Sequence, residues 1–327
     1  MELIVGTYGP KAWKLTLDGD FRPVEALPLP VGNASHLCLS DDGKYIFALS
    51  ESGADSLLTS FAAGDPLRPL STVRCVAPDP CYIVYNQGFL YTADYSGGSI
   101  SVYPVAGGRI GEAVQRVCFD CSGPHPERQR SSHVHMLKIC GPLMYATDLG
   151  GDRVHILDLL PGGHLAPRED LLMRPGCGPR HLDISPDGRF LYVLTELSKE
   201  VYVYDYLRPV QALILGDPSF EKQNGGDIHL HPGGLYLYAS LRDGGDSIIS
   251  FYIKPQSGTL TRRQTVPVGA HPRNFSILAD WGLMAVFCKN EGRIQFYPLD
   301  GRTGMIGPIL SEATLPDAGC RPVYGLF

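Results

Sequence analysis

HLDISPDGRFLYV, residues 181–193, is the stretch that reveals the fold, because the chain repeats it. A close copy, HLCLSDDGKYIFA, covers residues 36–48, and a degraded copy, IHLHPGGLYLYAS, follows Asp227. Weaker copies begin at Cys81, His135 and Asn274. The starts at 36, 81, 135, 181, 227 and 274 are 45, 54, 46, 46 and 47 residues apart. A period of about 40 to 50 residues indicates a series of similar supersecondary units.

Each copy consists of two apolar, alternating runs joined by a tight turn. In the clearest copy the turn is Ser185–Gly188, whose residue types suit a chain reversal. The alternation on either side is typical of strands. A third strand follows, as in Glu200–Asp205, and a fourth fits the linking stretch, as in residues 258–266. Four short strands in about 45 residues is the pattern of a β-propeller blade.

The two ends of the chain supply a seventh unit. Residues 319–327 stand where another copy should start, but they contain one strand only. Residues 2–8 and 12–17 look like strands with no unit start before them. A blade built from both ends would close a ring and remove its open sheet edges. We therefore predict an all-β, seven-bladed β-propeller, with four antiparallel strands per blade and a last blade closed by both termini, as one domain over residues 1–327. The alternative, an open array of β-sandwiches, accounts less well for the two ends.

The composition argues against several classes of function. A net charge of −6 and a pI near 5.9 provide no basic field for nucleic acid. No apolar run approaches the about 18 residues of a membrane span, and no signal peptide is visible. We therefore expect a cytoplasmic protein with reduced thiols. Of its nine cysteines, Cys118 and Cys121 have zinc-knuckle spacing, but no second pair follows. We expect a structural or incidental role for them, and neither a metal nor a cofactor.

Polar residues that occur in one copy but not in the others are candidates for function, because the fold does not need them. His133 and His135 enter the third copy two residues apart, so they are expected to share one strand face. One could act as general base while the other orients it or the substrate. The pattern leaves open which of the two transfers the proton.

Arginines mark the following copies at matching places. The turn at Pro186 brings Arg180 and Glu196 to the same end of one blade, and Arg242 lies one blade further on. Arg273 belongs to HPRNF (residues 271–275), the counterpart of GPRH (residues 178–181). The planar guanidinium group matches carboxylate and phosphate. We therefore expect a small polyanionic partner.

Four segments in order resemble one known family over nearly the whole chain. They are HVH (133–135), GPRH with SPDGRFLYV, the arginine after YAS (238–240), and PRNF (272–275). The family is that of the seven-bladed lactonases, which includes propeller-type 6-phosphogluconolactonases and fungal carboxy-cis,cis-muconate cyclases. The resemblance implies catalytic roles for His135, Glu196, Arg180 and Arg242 and a site role for Arg273, and it makes the anionic partner a phosphorylated or carboxylated lactone. We also expect substrate contacts from His133, His181, Arg273 and Asn274. One departure is Asp243, which follows Arg242 and could pair with it.

The resemblance favours a carboxylic ester hydrolase that opens a sugar lactone, most simply 6-phosphogluconolactone, without a metal. In that mechanism His135 would activate water, Arg180 or Arg242 would stabilise the oxyanion, and another arginine would hold the phosphate. Three alternatives remain open. They are a muconate-type lactonising cyclase on the same site, an enzyme of this family that acts on another lactone, and a binding propeller without activity, since fold alone does not fix function.

Overall fold

The computed structural model describes residues 1–64, 67–217, 219–220 and 222–327, which form seven antiparallel sheets. Each sheet is one blade. The innermost strand of each blade contacts that of the next, and the innermost strand of the seventh contacts that of the first. The contacts therefore close a ring, and the prediction of a seven-bladed β-propeller is confirmed.

The strands are numbered in chain order, and blades 1 to 6 take them in succession from β4. Blade 1 contains β4 (Ala34–Leu39), β5 (Tyr45–Ser50), β6 (Leu57–Ala62) and β7 (Arg68–Arg74). Blade 2 contains β8 (Pro80–Asn86), β9 (Phe89–Asp94), β10 (Ser99–Ala106), β11 (Arg109–Ile110) and β12 (Gln115–Cys118). Blade 3 contains β13 (Val134–Cys140), β14 (Leu143–Asp148), β15 (Arg153–Leu159) and β16 (Leu165–Leu172).

The remaining blades follow the same plan. Blade 4 contains β17 (Pro179–Ile184), β18 (Phe190–Thr195), β19 (Glu200–Asp205) and β20 (Arg208–Ile214). Blade 5 contains β21 (Asn224–Leu230), β22 (Tyr236–Arg242), β23 (Ser247–Ile253) and β24 (Leu260–Pro267). Blade 6 contains β25 (Pro272–Leu278), β26 (Leu283–Cys288), β27 (Arg293–Asp300), β28 (Met305–Ile306) and β29 (Ser311–Thr314). Blade 7 contains β30 (Arg321–Leu326), β1 (Glu2–Tyr8), β2 (Ala12–Leu17) and β3 (Pro23–Leu29). The outermost strand is split in two in blades 2 and 6, where the prediction had one strand.

Both ends of the chain build blade 7, as predicted. β30 pairs antiparallel with β1, with Gly325 opposite Val5 and Tyr324 opposite Gly6. The helical segments in the described residues are four 3-10 turns, at Gly53–Asp55, Pro161–Gly163, Ala279–Trp281 and Lys289–Glu291. Within that part of the chain, no helix is long and apolar enough to cross a membrane.

The core lies between the blades, because both faces of each sheet are covered by a neighbour. Leu3 and Val5 of blade 7, for example, share a buried cluster with Phe287 and Phe296 of blade 6. This two-sided burial explains why the inner strands are more apolar than the strict alternation of a sheet with one wet face. The layered blades hold the ring of inner strands rigidly around a central channel.

Candidate active site

Each innermost strand carries a bulge at the same place, and the bulge turns one residue toward the channel. In blade 4, Pro179 pairs with Thr195 and His181 pairs with Leu194, so Arg180 has no partner across the strands. The other six blades show an equivalent register shift. A bulge re-aims a side chain without disturbing the rest of a sheet. The residues at this position are Ser35, Cys81, His135, Arg180, Gly226, Arg273 and Val323. All of them except Gly226 line one small cavity.

The bulge also corrects the alignment of the repeat. The first paired residue after it is His36 in blade 1 and His181 in blade 4, but Tyr82 in blade 2 and Met136 in blade 3. The predicted repeat starts at 81 and 135 were therefore one residue early. They fell on the bulged residue itself, which a comparison of apolar patterns does not distinguish from its neighbour.

A second ring of side chains lies where the second strand of each blade ends. The amide of Glu196 donates to the Gly178 carbonyl oxygen at 2.7 Å. In blades 1 and 6 the amides of Glu51 and Lys289 donate in the same way to the carbonyl oxygens of Asn33 and His271. Arg242 occupies this position in blade 5, opposite Asn224. The whole ring is Tyr8, Glu51, Tyr95, Leu149, Glu196, Arg242 and Lys289. It therefore places charges of both signs above the bulged residues.

Glu196 is bound by three arginines. Its Oε2 accepts from Arg180 Nε at 2.9 Å and from Arg242 Nη2 at 2.7 Å, and its Oε1 accepts from Arg128 Nη2 at 2.5 Å. The side chain is 3% exposed. Burial raises the pKa of this carboxyl, but the charges of the arginines, Arg242 most of all, outweigh burial and lower the pKa to about 2. Glu196 is therefore ionised at neutral pH.

Arg180 is buried, with 1% of its surface exposed. Besides Glu196 it contacts the Gly226 carbonyl oxygen and lies 3.1 Å from His181 Nε2. A Cβ at Gly226 would stand 2.3 Å from Ser240 Oγ and 2.9 Å from a backbone oxygen, so only glycine fits there. Burial, followed by the charge of Arg242, lowers the pKa of Arg180. The guanidinium is thus fixed in a place that favours an added anion.

His135 is the bulged residue of blade 3 and is 6% exposed. Its ring lies edge-on to Tyr95 and to His181, with centroids 5.6 and 5.1 Å apart. Among the described residues its Nδ1 has no hydrogen-bond partner. Burial, together with the charge of Arg180, lowers the pKa of His135 well below its usual value. His135 is therefore a neutral imidazole at neutral pH, next to a cation.

His133 does not share a strand face with His135, contrary to the prediction. β13 begins at Val134 and the register shifts at His135, so the two-residue alternation does not apply. His133 instead stacks on Tyr95 at 4.4 Å, and its Nδ1 lies 2.9 Å from the Tyr95 carbonyl oxygen. The two histidines therefore meet through Tyr95, and of the two only His135 lines the cavity.

Arg273 of blade 6 is held by side chains from blades 7 and 1. It donates to Tyr8 Oη at 2.6 Å, and that hydroxyl donates to Glu51 Oε2 at 2.6 Å. The guanidinium also lies 4.9 Å from the centroid of the Tyr8 ring, and Lys289 Nζ lies 5.4 Å from it. Burial and the charge of Arg273 lower the pKa of Lys289. This side of the site is thus crowded with cations.

Asp243 does not pair with Arg242, the competing contact that the sequence suggested. It binds His271 Nδ1 at 2.7 Å, while His271 Nε2 lies 3.4 Å from Arg242 Nη1. The Nε of Arg242 has no partner among the described residues. Arg242 therefore keeps a buried donor for a further acceptor.

His181 and Asn274 form the next layer of the channel, around Asp227. Arg180 is only a donor, so His181 Nε2 accepts from it and His181 Nδ1 donates to Asp227 Oδ1 at 2.5 Å. The other oxygen of Asp227 lies 2.9 Å from His229 Nε2 and accepts from Asn274. Burial and the charge of Arg180 lower the pKa of His181 to about 4. Both predicted contact residues thus lie beside Arg180 and line its cavity.

His36 of blade 1 lines the same cavity as His181 and Asn274. Its ring lies between Tyr82 and Tyr324, with centroid distances of 3.8 and 4.0 Å. Neither ring nitrogen has a partner among the described residues, and burial lowers its pKa well below 6.5. His36 therefore packs as a neutral aromatic ring.

Of the predicted site residues, the structure places five along one cavity: His135, Arg180, His181, Arg273 and Asn274. Glu196 and Arg242 do not line this cavity, and Glu196 contacts both Arg180 and Arg242. His133 meets His135 only through Tyr95. The prediction missed Tyr8, Glu51, Tyr95, Arg128, Lys289 and Asp227. Most of these residues stand at the strand-end position or directly after the bulge, so aligning those two columns through all blades could have found them. Arg128 comes from the long loop before β13, which has no counterpart in the other blades and hence no such signal.

The fold and this site define the class of protein. A family model described as "Lactonase, 7-bladed beta-propeller" matches residues 3–321, so the chain belongs to that family. It is 26% identical to a 6-phosphogluconolactonase of Bacillus subtilis, over 97% of this chain and 96% of the relative. It is 29% identical to a 6-phosphogluconolactonase of Formosa agariphila, over 86% and 85%.

Two solved structures are similar in fold over nearly all of both chains. A Bacteroides fragilis protein, described provisionally as a 6-phosphogluconolactonase, superimposes with a TM-score of 0.91 at 31% identity, covering 99% of this chain and 97% of its own. A periplasmic gluconolactonase of Pseudomonas aeruginosa gives a TM-score of 0.87 at 27% identity, covering 99% and 98%. Since the latter is periplasmic, the cytoplasmic location of this chain stays a prediction.

Proposed function

We propose that this protein hydrolyses a sugar lactone and that 6-phosphogluconolactone is its substrate. The observation that carries the proposal is the position of His135, a neutral imidazole in a cavity that it shares with Arg180 and Arg273. The names of the relatives support the lactone as the substrate class. Acyl transfer from a lactone needs a base for water and a positive group for the oxyanion, and both are present here.

In this mechanism His135 takes a proton from a water molecule, whose oxygen forms a bond to the lactone carbonyl carbon. The carbonyl oxygen becomes an oxyanion beside Arg180, the cation that lies next to His135. The bond between that carbon and the ring oxygen then breaks. The proton on His135 passes to the departing ring oxygen, and the new carboxyl group ionises.

The cations around the site favour a substrate that carries a phosphate group. Arg180 and Arg273 line the cavity, and Arg128, Arg242 and Lys289 lie behind them, against three carboxylates, Glu51, Glu196 and Asp227. A phosphate would accept from the free Nε of Arg242 or from Arg273. Its negative charge would offset the cations that depress the pKa of His135. The substrate would thereby strengthen the base that acts on it.

Glu196 acts in this proposal as a positioning residue. With a pKa near 2 and both oxygens bound to arginines, it is a poor proton carrier at neutral pH. It holds Arg180, Arg242 and Arg128 at fixed places, and preorganised charges stabilise a transition state without the cost of reorienting.

The test is the initial rate of hydrolysis of freshly generated 6-phosphogluconolactone above its spontaneous opening. We expect His135→Asn to lower the rate at least about a hundredfold, the usual effect of removing a general base. The matched control is His164→Asn, which changes an exposed histidine on the turn before β16 and should leave the rate unchanged. A wild-type rate equal to background would contradict the activity. A normal rate in folded His135→Asn, with loss in His133→Gln, would instead assign the proton transfer to His133.

A further inference from the structure

A cluster of metal-ligand side chains lies in blade 3, outside the cavity. Cys121 comes from the long loop between β12 and β13, Asp148 ends β14, and His155 lies in β15. One ligand atom from each lies within 4.8 Å of the others. We propose that these three residues bind a zinc-class divalent ion, with water as the fourth ligand. This departs from the expectation that Cys121 has only a structural or incidental role.

The spacing between the His155 nitrogen and the Asp148 oxygen suits tetrahedral coordination. His155 Nε2 and Asp148 Oδ2 lie 3.2 Å apart. Two ligands at about 2.0 Å from zinc, at the tetrahedral angle, are separated by about 3.3 Å. Thiolate, imidazole and carboxylate are the ligand types that zinc uses in proteins. Cys121 is partly exposed, which leaves a path for the ion and for a bound water.

Groups around the cluster orient two of the proposed ligands. Asp170 Oδ1 lies 2.7 Å from His155 Nδ1, so the other ring nitrogen points toward Asp148 and Cys121. A carboxylate on the remote nitrogen is the usual second partner of a metal-bound histidine. Asp148 Oδ1 accepts from the backbone amides of His133 at 2.7 Å and Gly151 at 3.0 Å. Its Oδ2, which lies 3.2 Å from His155 Nε2, would face the metal together with that nitrogen.

Gly151 lets the three ligands converge. A Cβ on this residue would stand 2.7 Å from Cys121 Cβ and 2.8 Å from Asp148 Oδ2. Any larger residue would push the thiol and the carboxylate apart. The close packing of a cysteine from a distant loop on this glycine brings its sulfur to the carboxylate–histidine pair.

The charges also balance when a metal is bound. Arg153 lies against Asp170, with Nη1 3.0 Å from Oδ2. A divalent ion and Arg153 together neutralise the Cys121 thiolate, Asp148 and Asp170. Without a metal, the competing arrangement is His155 with both ring nitrogens hydrogen-bonded to the two carboxylates and Cys121 as a neutral thiol. Metal binding would thus displace protons from ligands.

Such an ion would have a structural consequence for the site. It would fasten the loop between Cys118 and Val134 to blade 3, and this loop carries Arg128, which contacts Glu196 at 2.5 Å. The proposal does not depend on lactone hydrolysis, because the ligands and their test stand apart from that reaction.

The test is titration of metal-free protein with cobalt(II) chloride, read by absorption. We expect a near-ultraviolet thiolate-to-cobalt charge-transfer band that saturates at one equivalent per chain and is abolished by zinc chloride. Cys121→Ser should lose the band, whereas the matched control Cys118→Ser, an exposed cysteine three residues earlier, should keep it. Asp170→Asn should keep the band but weaken cobalt binding about 10- to 100-fold.

Absence of the band in the wild type, or its survival in Cys121→Ser, would overturn the proposal. If Cys121→Ser fails to fold, alkylation of the wild-type protein decides instead. Zinc chloride should then protect Cys121 from iodoacetamide and leave Cys118 reactive, as judged by mass spectrometry. Equal labelling of Cys121 with and without zinc would exclude the site.

Discussion

At the scale of single residues, the organising group of the site is one buried carboxylate that serves three cations. Removing a charged group from water is expensive unless partners replace the lost hydration. Glu196 and its arginines are such partners for one another, because Oε2 accepts from Arg180 and Arg242 while Oε1 accepts from Arg128. The arginines outnumber the carboxylate, so the cluster keeps a positive surplus for a substrate anion.

Glu196→Gln should destabilise the fold as well as the site. Its pKa of about 2, compared with 4.5 for the free group, corresponds to about 3 kcal/mol of stability at neutral pH. Because the folded-state pKa is depressed, this contribution is present above 4.5 and disappears as the pH falls toward 2. Urea unfolding of both proteins should therefore show a gap of about 3 kcal/mol at neutral pH that narrows below about pH 4.5.

The control for this experiment is Glu169→Gln, which removes an exposed carboxylate in β16 and should change stability by less than about 0.5 kcal/mol. A gap between wild type and Glu196→Gln that stays constant down to about pH 3 would mean that packing, rather than charge, accounts for it.

The sequence could predict part of this cluster, because hairpin geometry is local. A turn at Pro186 puts positions 180 and 196 at one end of a blade, and their side chains lie 2.9 Å apart. The contact between Arg128 and Glu196 spans 68 positions and depends on how a long loop folds over the ring. No periodicity in the sequence reports such a contact.

At the scale of the secondary-structure element, the bulge in each innermost strand turns a repeated fold into a site. A regular strand would alternate its side chains between the two faces of the blade. The bulge adds one residue, and six of the seven bulged residues line the cavity. The alternation and the turns were visible in the sequence, but the bulge was not, because an extra residue in one strand is recognised only against its partner strand.

Gly226→Ala tests the importance of the bulge in blade 5. The added methyl group would press on Ser240 and on a backbone oxygen, and it would shift the carbonyl that Arg180 contacts. We expect a loss of about 1–3 kcal/mol of stability. A displaced Arg180 should also lower the lactonase rate roughly a hundredfold.

Gly19→Ala is the matched control, since a Cβ there meets nothing within 4 Å. Calorimetry and the lactone assay together measure both effects. A fully active, stable Gly226→Ala protein would show that the bulge tolerates a side chain and that the position of Arg180 does not depend on it.

At the scale of the whole molecule, closing the ring creates a channel in which several histidines are buried away from water. The pKa values of His36, His135 and His181 are all lowered, with burial as the main cause. His229, which faces Asp227, is the exception, because that carboxylate raises its pKa. The propeller could be predicted from the repeat, but the depth at which each histidine lies could not, since it follows from the register of seven separate strands.

The buried histidines should make the fold sensitive to mild acid. In the unfolded chain each takes up a proton below about pH 6.5, while in the folded protein His36, His135 and His181 stay neutral. Stability should thus decrease by about 1.4 kcal/mol per pH unit for each of them, or about 4 kcal/mol in all, between about pH 6 and pH 5. His229 adds no slope in this range, because its raised pKa leaves it protonated in both states.

His36→Phe should keep the stacking between Tyr82 and Tyr324 and remove one of these protons. We therefore expect urea unfolding at about pH 6 and pH 5 to show a slope smaller by about 1.4 kcal/mol per unit in His36→Phe. Equal slopes in the two proteins would mean that His36 is protonated, and hence hydrated, in the folded channel.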